Sequence, residues 1–122
     1  LGACLILFAA CSRNSSHNNL VKETYIHKYG VPLPKSDWNK QGMEGQIVKI
    51  LKDGITVTEN YQNGLLHGRT SYSFPHSSTI EVVEVYDQGN KSAEIIHYPS
   101  GVPMREEQYQ NNQLVQLTTW YE

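Results

Sequence analysis

The chain has 122 residues, a formal net charge of −2 and a pI of about 6.2. This length suits one domain rather than two, and the nearly balanced charge argues against the strongly basic surface of a nucleic-acid binder. Tyr supplies 8 of the aromatic residues, against 2 Trp and 2 Phe. This favours β-strands, because Tyr fills a half-buried pleated surface while its hydroxyl stays near water.

The first ten residues, 1–10, are apolar or small and carry no charge. The run is too short to span a bilayer, which takes about 20 apolar residues, and it fits the hydrophobic region of a secretory signal peptide. Because the chain starts without Met and without a basic segment ahead of this run, we expect the beginning of the precursor to be missing.

The apolar run ends in two alanines followed by Cys11, Ser12 and a polar tract. This pattern resembles the lipobox of bacterial lipoproteins. The resemblance implies that Cys11 becomes the first mature residue and carries several acyl chains, which anchor a protein firmly where one chain would not. Ser12 after the Cys implies sorting to the outer membrane. Two alternatives stay open: cleavage before Cys4, and an ordinary cleaved signal in which Cys11 has no role.

Residues 11–19 are predicted to be a lipidated Cys followed by a flexible tether, because an Asn- and Ser-rich tract cannot bury a core. Cys4 and Cys11 are the two cysteines of the chain. The remaining residues therefore hold no thiol with which to form a disulfide framework.

Residues 20–45 are predicted to be an irregular segment that leads into the fold. Residues 20–29 fit either a short strand or a turn, and the prolines of residues 30–34 bias their predecessors toward extended structure. Residues 36–45 are rich in turn formers and are predicted to be a loop. Trp38 is predicted to cover an open end of a sheet.

From residue 46 to residue 122 one short motif recurs: an aromatic or apolar residue, two further residues, then Gly or a substitute for it. Its six copies begin at positions 51, 61, 74, 86, 98 and 109, so their spacing is 10–13 residues. A regular spacing of hairpin length indicates a repeat architecture. Apolar and polar residues alternate between the copies, as in residues 55–61, which predicts strands.

The turns between these strands are predicted to be tight. Asp53-Gly54 and Asn63-Gly64 are strong hairpin signals because Asn and Gly accept a positive φ. The turn at residues 74–78 has no Gly and should be looser. Short turns make neighbouring strands antiparallel, since a parallel pair needs a long crossover. We therefore predict an all-β antiparallel meander of about seven strands over 46–122, without any helix longer than two turns.

The copy at residues 61–69, with Tyr72 after it, resembles the MORN-variant repeat of the YwqK-type antitoxin family, which reads aromatic-x-x-Gly-x-x-x-Gly before a strand. Residues 42–45 are similar to its second half. The motif positions carried by this chain are Tyr61, Gly64, Gly68, Tyr86, Gly89, Tyr98, Gly101 and Tyr109. The resemblance implies short β-hairpins stacked into an elongated or curved sheet. It also implies a protein partner, as an antitoxin has in its toxin.

The sequence gives little support for a catalytic, metal-binding or phosphate-binding site. The five His residues lack metal-ligand spacing, no Ser lies in a nucleophile-elbow motif, and no phosphate-binding loop is present. We therefore expect no enzyme activity, no metal and no cofactor. Carboxylates on the predicted strands are interpreted as solvated charges that block edge-to-edge pairing; they are Glu81, Glu84, Glu94, Glu106 and Glu107.

Two functions remain open from the sequence. The leading one is a non-enzymatic lipoprotein of the bacterial cell envelope that binds a protein through a sheet face or a strand edge, with self-association through an edge also open. The alternative is a glycan- or small-ligand-binding module that uses an aromatic strip; the strip would be Tyr72, Tyr86, Tyr98, Tyr109 and Tyr121. The same tyrosines equally fit a structural ladder that fixes strand register.

Overall fold

A ten-stranded antiparallel sheet dominates the computed structural model, which describes residues 19–121. The signal segment, Cys11 and all but the last residue of the predicted tether lie outside the described residues. One helix, α1 Lys35–Lys40, interrupts the strands. The strands are β1 Leu20–His27, β2 Pro32–Leu33, β3 Gly45–Leu51, β4 Thr56–Gln62, β5 Leu65–Leu66, β6 Gly68–Ser73, β7 Ile80–Asp87, β8 Asn90–His97, β9 Pro103–Gln110 and β10 Gln113–Thr119.

The strands follow one another across the sheet in the order β10-β9-β8-β7-β6-β4-β3-β1-β2, while β5 pairs with β4. Each of these pairings is antiparallel. The predicted all-β antiparallel meander is therefore confirmed. From β3 onward there are eight strands rather than about seven, because the two-residue β5 forms directly after the Asn63-Gly64 turn.

The turns have the backbone that their residues predict. Asn63 and Gly64 have φ of 53° and 79°, and Asn111 and Asn112 have φ of 52° and 63°. Two consecutive positive φ values match the right-handed twist of the flanking strands, which is why Asn and Gly recur at these points. The turn at residues 74–79 is wider, and the Phe74 N–H donates to the Thr79 carbonyl at 2.9 Å.

The segment 20–45 is more regular than the sequence predicts. Strand β1 runs for eight residues and lies between β3 and the two-residue edge strand β2. Residues 36–45 do not form a loop throughout, because α1 begins directly after Pro34 and ends at Lys40. The negative charge of Asp37 in the first turn and the positive charge of Lys40 in the last turn both interact favourably with the helix dipole.

Trp38 explains why so short a helix persists. Its side chain is 3% exposed and packs in a cluster with Tyr25, Ile47 and Tyr61. Its ring centroid lies 5.7 Å from that of Tyr25 and 6.2 Å from that of Tyr61 in an edge-on arrangement. Trp38 thus covers one face of β1, β3 and β4 rather than an open end of the sheet, and tertiary packing holds a helix that would be too short to form alone.

Candidate functional site

Four strands carry a Glu two residues before a Tyr, and in each pair the Tyr hydroxyl donates to that Glu. Side chains two residues apart on a strand share a face, which brings the two groups together. The pairs and their O···O distances are Glu23–Tyr25 (2.6 Å), Glu59–Tyr61 (3.2 Å), Glu84–Tyr86 (3.3 Å) and Glu107–Tyr109 (2.8 Å). The strand register places all four pairs on one side of the sheet, which we call the tyrosine face.

A row of carboxylates crosses the tyrosine face. Glu84 pairs across the strands with Glu94, and Glu94 pairs with Glu107. All three are buried, each 8% exposed or less. They are not the solvated edge charges that the sequence predicts, because the meander places β7, β8 and β9 inside the sheet, where neighbouring strands shield both flanks.

Like charges directly opposite one another destabilise a sheet, and Lys91 offsets this repulsion. Its Nζ lies 3.2 Å from Glu84 Oε2 and also contacts Glu94 Oε1. The same ammonium sits 5.3 Å from the centre of the Tyr109 ring, a cation–π distance. One cation thus joins two carboxylates and an aromatic ring from three adjacent strands.

The tyrosines of this face are hard to ionise. Burial, followed by the hydrogen bond and the charge of Glu23, raises the pKa of Tyr25 to about 12. Burial is also the first cause that raises the pKa of Tyr61, Tyr86 and Tyr109, and the adjacent Glu of each pair follows it. A phenolate at any of these positions would face a carboxylate in a poorly solvated environment.

We expect the fold to lose stability as the pH rises above about 10, the ordinary pKa of tyrosine. The folded state raises these tyrosine pKa values, so the protonated hydroxyls stabilise it fully below pH 10. That contribution is lost as the pH rises through the folded-state pKa values of these tyrosines. For Tyr25 this pKa is about 12. Tyrosinate absorbance and far-ultraviolet circular dichroism, followed together, should show the last phenolates appearing with loss of the sheet. Ionisation of all 8 tyrosines with the sheet intact would contradict this.

The other end of the meander presents a different surface. Strand β10 is the edge strand at this end of the sheet, and none of the described residues covers its outer side. Residues 113–121 include no Asp, Glu, Lys or Arg. The apolar side chains exposed along and just after this strand are Leu114, Val115, Leu117, Trp120 and Tyr121. We call residues 113–121 the β10 edge.

The backbone of the β10 edge also offers unpaired groups. The Trp120 N–H donates to the Met104 carbonyl on β9 at 2.9 Å. Because backbone groups of alternate residues point to opposite sides of a strand, those of Leu117 and Thr119 point away from β9. The Tyr98 hydroxyl donates to the Trp120 carbonyl at 2.9 Å and holds the end of this edge against the sheet.

No family model, curated protein or solved structure matches this chain. Among residues 19–121, no helix is long and apolar enough to cross a membrane. Over the same residues, no group of three or more His, Cys, Asp and Glu side chains is placed to hold a metal ion.

The structure separates the tyrosines that the sequence groups as one binding strip. Tyr72, Tyr86 and Tyr109 lie on the tyrosine face, and the hydroxyls of Tyr72 and Tyr86 both donate to Glu84 Oε1. Tyr98 instead contacts the β10 edge, and Tyr121, the last residue of that edge, is 97% exposed. The repeat glycines lie at turns or strand starts, and they are Gly64, Gly68, Gly89 and Gly101, all with positive φ.

Sequence reasoning missed two features of the structure, the Glu–Tyr pairs of the tyrosine face and the uncharged β10 edge. The Glu-x-Tyr spacing is visible in the sequence and could have been found as a second repeat signal on four strands. The charge-free stretch 111–121 is equally visible. Its importance depends on β10 being an edge, which the alternation of residues does not reveal.

Two grooves lie on the face of the sheet opposite the tyrosine face. One, of about 600 Å³, is lined by residues of β1, β3 and β4 together with His67. There the His67 Nδ1 accepts the Gln88 N–H at 3.1 Å and lies 3.7 Å from Asp87 Oδ1. The other, of about 480 Å³, is lined by hydroxyls that include Thr58 and Ser71, beside His76. Both grooves are shallow, and the contacts of His67 with Asp87 and Gln88 hold a turn in place.

Proposed function

We propose that this chain is a non-enzymatic, membrane-anchored lipoprotein of the bacterial envelope whose MORN-like repeat sheet binds a protein partner. The observation that carries the proposal is the β10 edge. Val115 is 57% exposed and Leu117 is 53% exposed, on a strand without charge. Exposed sheet edges are normally blunted by charges, Pro or very short strands. An unprotected edge instead suits a partner that adds a strand and covers the apolar side chains.

Anchoring is proposed to run through Cys11. The apolar run, the small pair before the Cys and the polar tract after it support lipidation there, with the outer membrane as destination. Labelled palmitate should be incorporated into the full-length precursor and lost in the Cys11→Ala variant, while Cys4→Ala should keep the label as the matched control. Equal labelling of wild type and Cys11→Ala would overturn this part of the proposal.

The glycan-binding alternative draws less support from the geometry. The hydroxyls of Tyr72, Tyr86 and Tyr109 already donate to Glu84 or Glu107, and their rings are partly buried among neighbouring side chains. A sugar would have to compete for donors that are satisfied. The tyrosine series therefore fits a structural ladder, and any antitoxin-like role would fall to the β10 edge.

Photo-crosslinking in cells tests the protein-binding proposal. We expect a photoreactive residue at Val115 to give a protein adduct, because this side chain stands on the edge that the partner covers. Val21, 62% exposed on β1 near the other end of the sheet, is the matched control and should give none. An absence of adducts at Val115, or equal yields at both positions, would refute binding through the β10 edge.

A further inference from the structure

We infer that the partner strand at the β10 edge is β10 of a second copy of this chain, so that two sheets join across a two-fold axis into one continuous sheet. The inference rests on the proposed function, since it names the partner of the same edge. It predicts a defined homodimer.

Charge is the first reason for choosing a second copy. Every other described strand of six or more residues carries at least one Asp, Glu, Lys or Arg, whereas β10 carries none. When two copies of a strand pair antiparallel across a two-fold axis, the residues nearest the axis approach their own copies, so a charge there meets a like charge. That repulsion is what protects edges in natural sheets, and β10 alone among these strands lacks it.

The backbone supports the same arrangement. Leu117 and Thr119 point their N–H and C=O groups outward, and these two residues lie on either side of Thr118. A two-fold axis at Thr118 would set Leu117 of one copy against Thr119 of the other, which would pair all four outward groups. The antiparallel order of the sheet would continue unchanged across the join. Such an interface is isologous and closes after two copies.

Strands β1 and β2, at the opposite edge of the sheet, disfavour head-to-tail pairing with β10. Strand β2 covers β1 at Tyr25 and Ile26, and it is two residues long and begins with Pro32. Pro has no N–H to donate to a neighbouring strand. The uncovered part of β1 carries Lys22 and Glu23, which protect an edge. The two ends of the sheet are therefore unequal, and only the β10 end accepts a partner freely.

The test is the oligomeric state of the full chain in mild detergent, measured by sedimentation across a dilution series. We expect a dimer for the wild type. Leu117→Lys should weaken dimerisation at least about tenfold, because it sets an ammonium near its own copy across the axis. The variant should still fold, since Leu117 pairs with Glu107 on β9 and the new ammonium faces that carboxylate. Val115→Lys is the second edge variant, and Val21→Lys is the matched control that should remain dimeric.

The outcomes separate this inference from the proposed function. A monomeric wild type overturns the inference, and so does a dimer that both edge variants retain. Long oligomers that Val21→Lys also disrupts would indicate head-to-tail pairing and overturn it as well. If the wild type is monomeric while Val115 still cross-links to a different protein, the proposed function stands and the second copy is excluded. If Val115 gives no adduct and the chain is monomeric, both fail.

Discussion

Replacing Trp38 with Ala should destabilise the fold by about 3–5 kcal/mol, the range typical of removing a buried Trp. Trp38 is 3% exposed and joins the cluster formed by Tyr25, Ile47 and Tyr61. The substitution would remove the side chain that ties α1 to the sheet, and α1 has six residues and no side-chain cap at its start. The free energy of unfolding, measured with urea, checks this magnitude.

The loss of structure in Trp38→Ala should begin near the substitution and reach the rest of the sheet later. Because α1 cannot persist without packing, hydrogen exchange in Trp38→Ala should accelerate first over residues 20–51 and later over β6 to β9. Val31→Ala is the control, since Val31 is 54% exposed nearby and should change stability by less than about 0.5 kcal/mol. A Trp38→Ala variant as stable as Val31→Ala would show that the cluster does not hold this end of the sheet.

Gly45→Ala should destabilise the fold by about 3 kcal/mol or more, since it combines backbone strain with a steric collision. Gly45 has φ of 128°, which residues with a side chain rarely adopt. An added Cβ would collide with the Ile26 carbonyl oxygen and lie 2.8 Å from both the His27 carbonyl carbon and the Lys28 nitrogen. These are backbone atoms of the adjacent strand β1 and the turn after it, so they cannot rotate away.

Gly42→Ala is the matched control for that substitution. Gly42 also has a positive φ, 86°, but an added Cβ would meet nothing within 4 Å. It should therefore cost about 1 kcal/mol from the backbone conformation alone. The difference in thermal midpoint between the two variants isolates the contact of β3 with β1. Equal midpoints would mean that β1 is not held in the register described here.

The local rules of the sequence predicted the meander well because its strands are joined by short turns. Asn63-Gly64 and Asn111-Asn112 reverse the chain within two residues, so the strand after each of these turns pairs with the strand before it. The same rules failed for α1 and β1. Residues 20–45 carry no complete copy of the repeat motif, and their structure depends on Trp38 meeting Tyr61, which lies 23 positions further along the chain.

The sequence by itself determined where this chain turns and how its strands alternate, because positive φ values and period-two patterning are local properties of a few neighbouring residues. The tertiary structure alone decided which side chains became neighbours. It aligned Glu84, Glu94 and Glu107 into a buried row around Lys91, and it left β10 rather than another strand at the open edge. Burial and edge position follow from the register and order of strands that are distant in the chain, and no single segment carries that information.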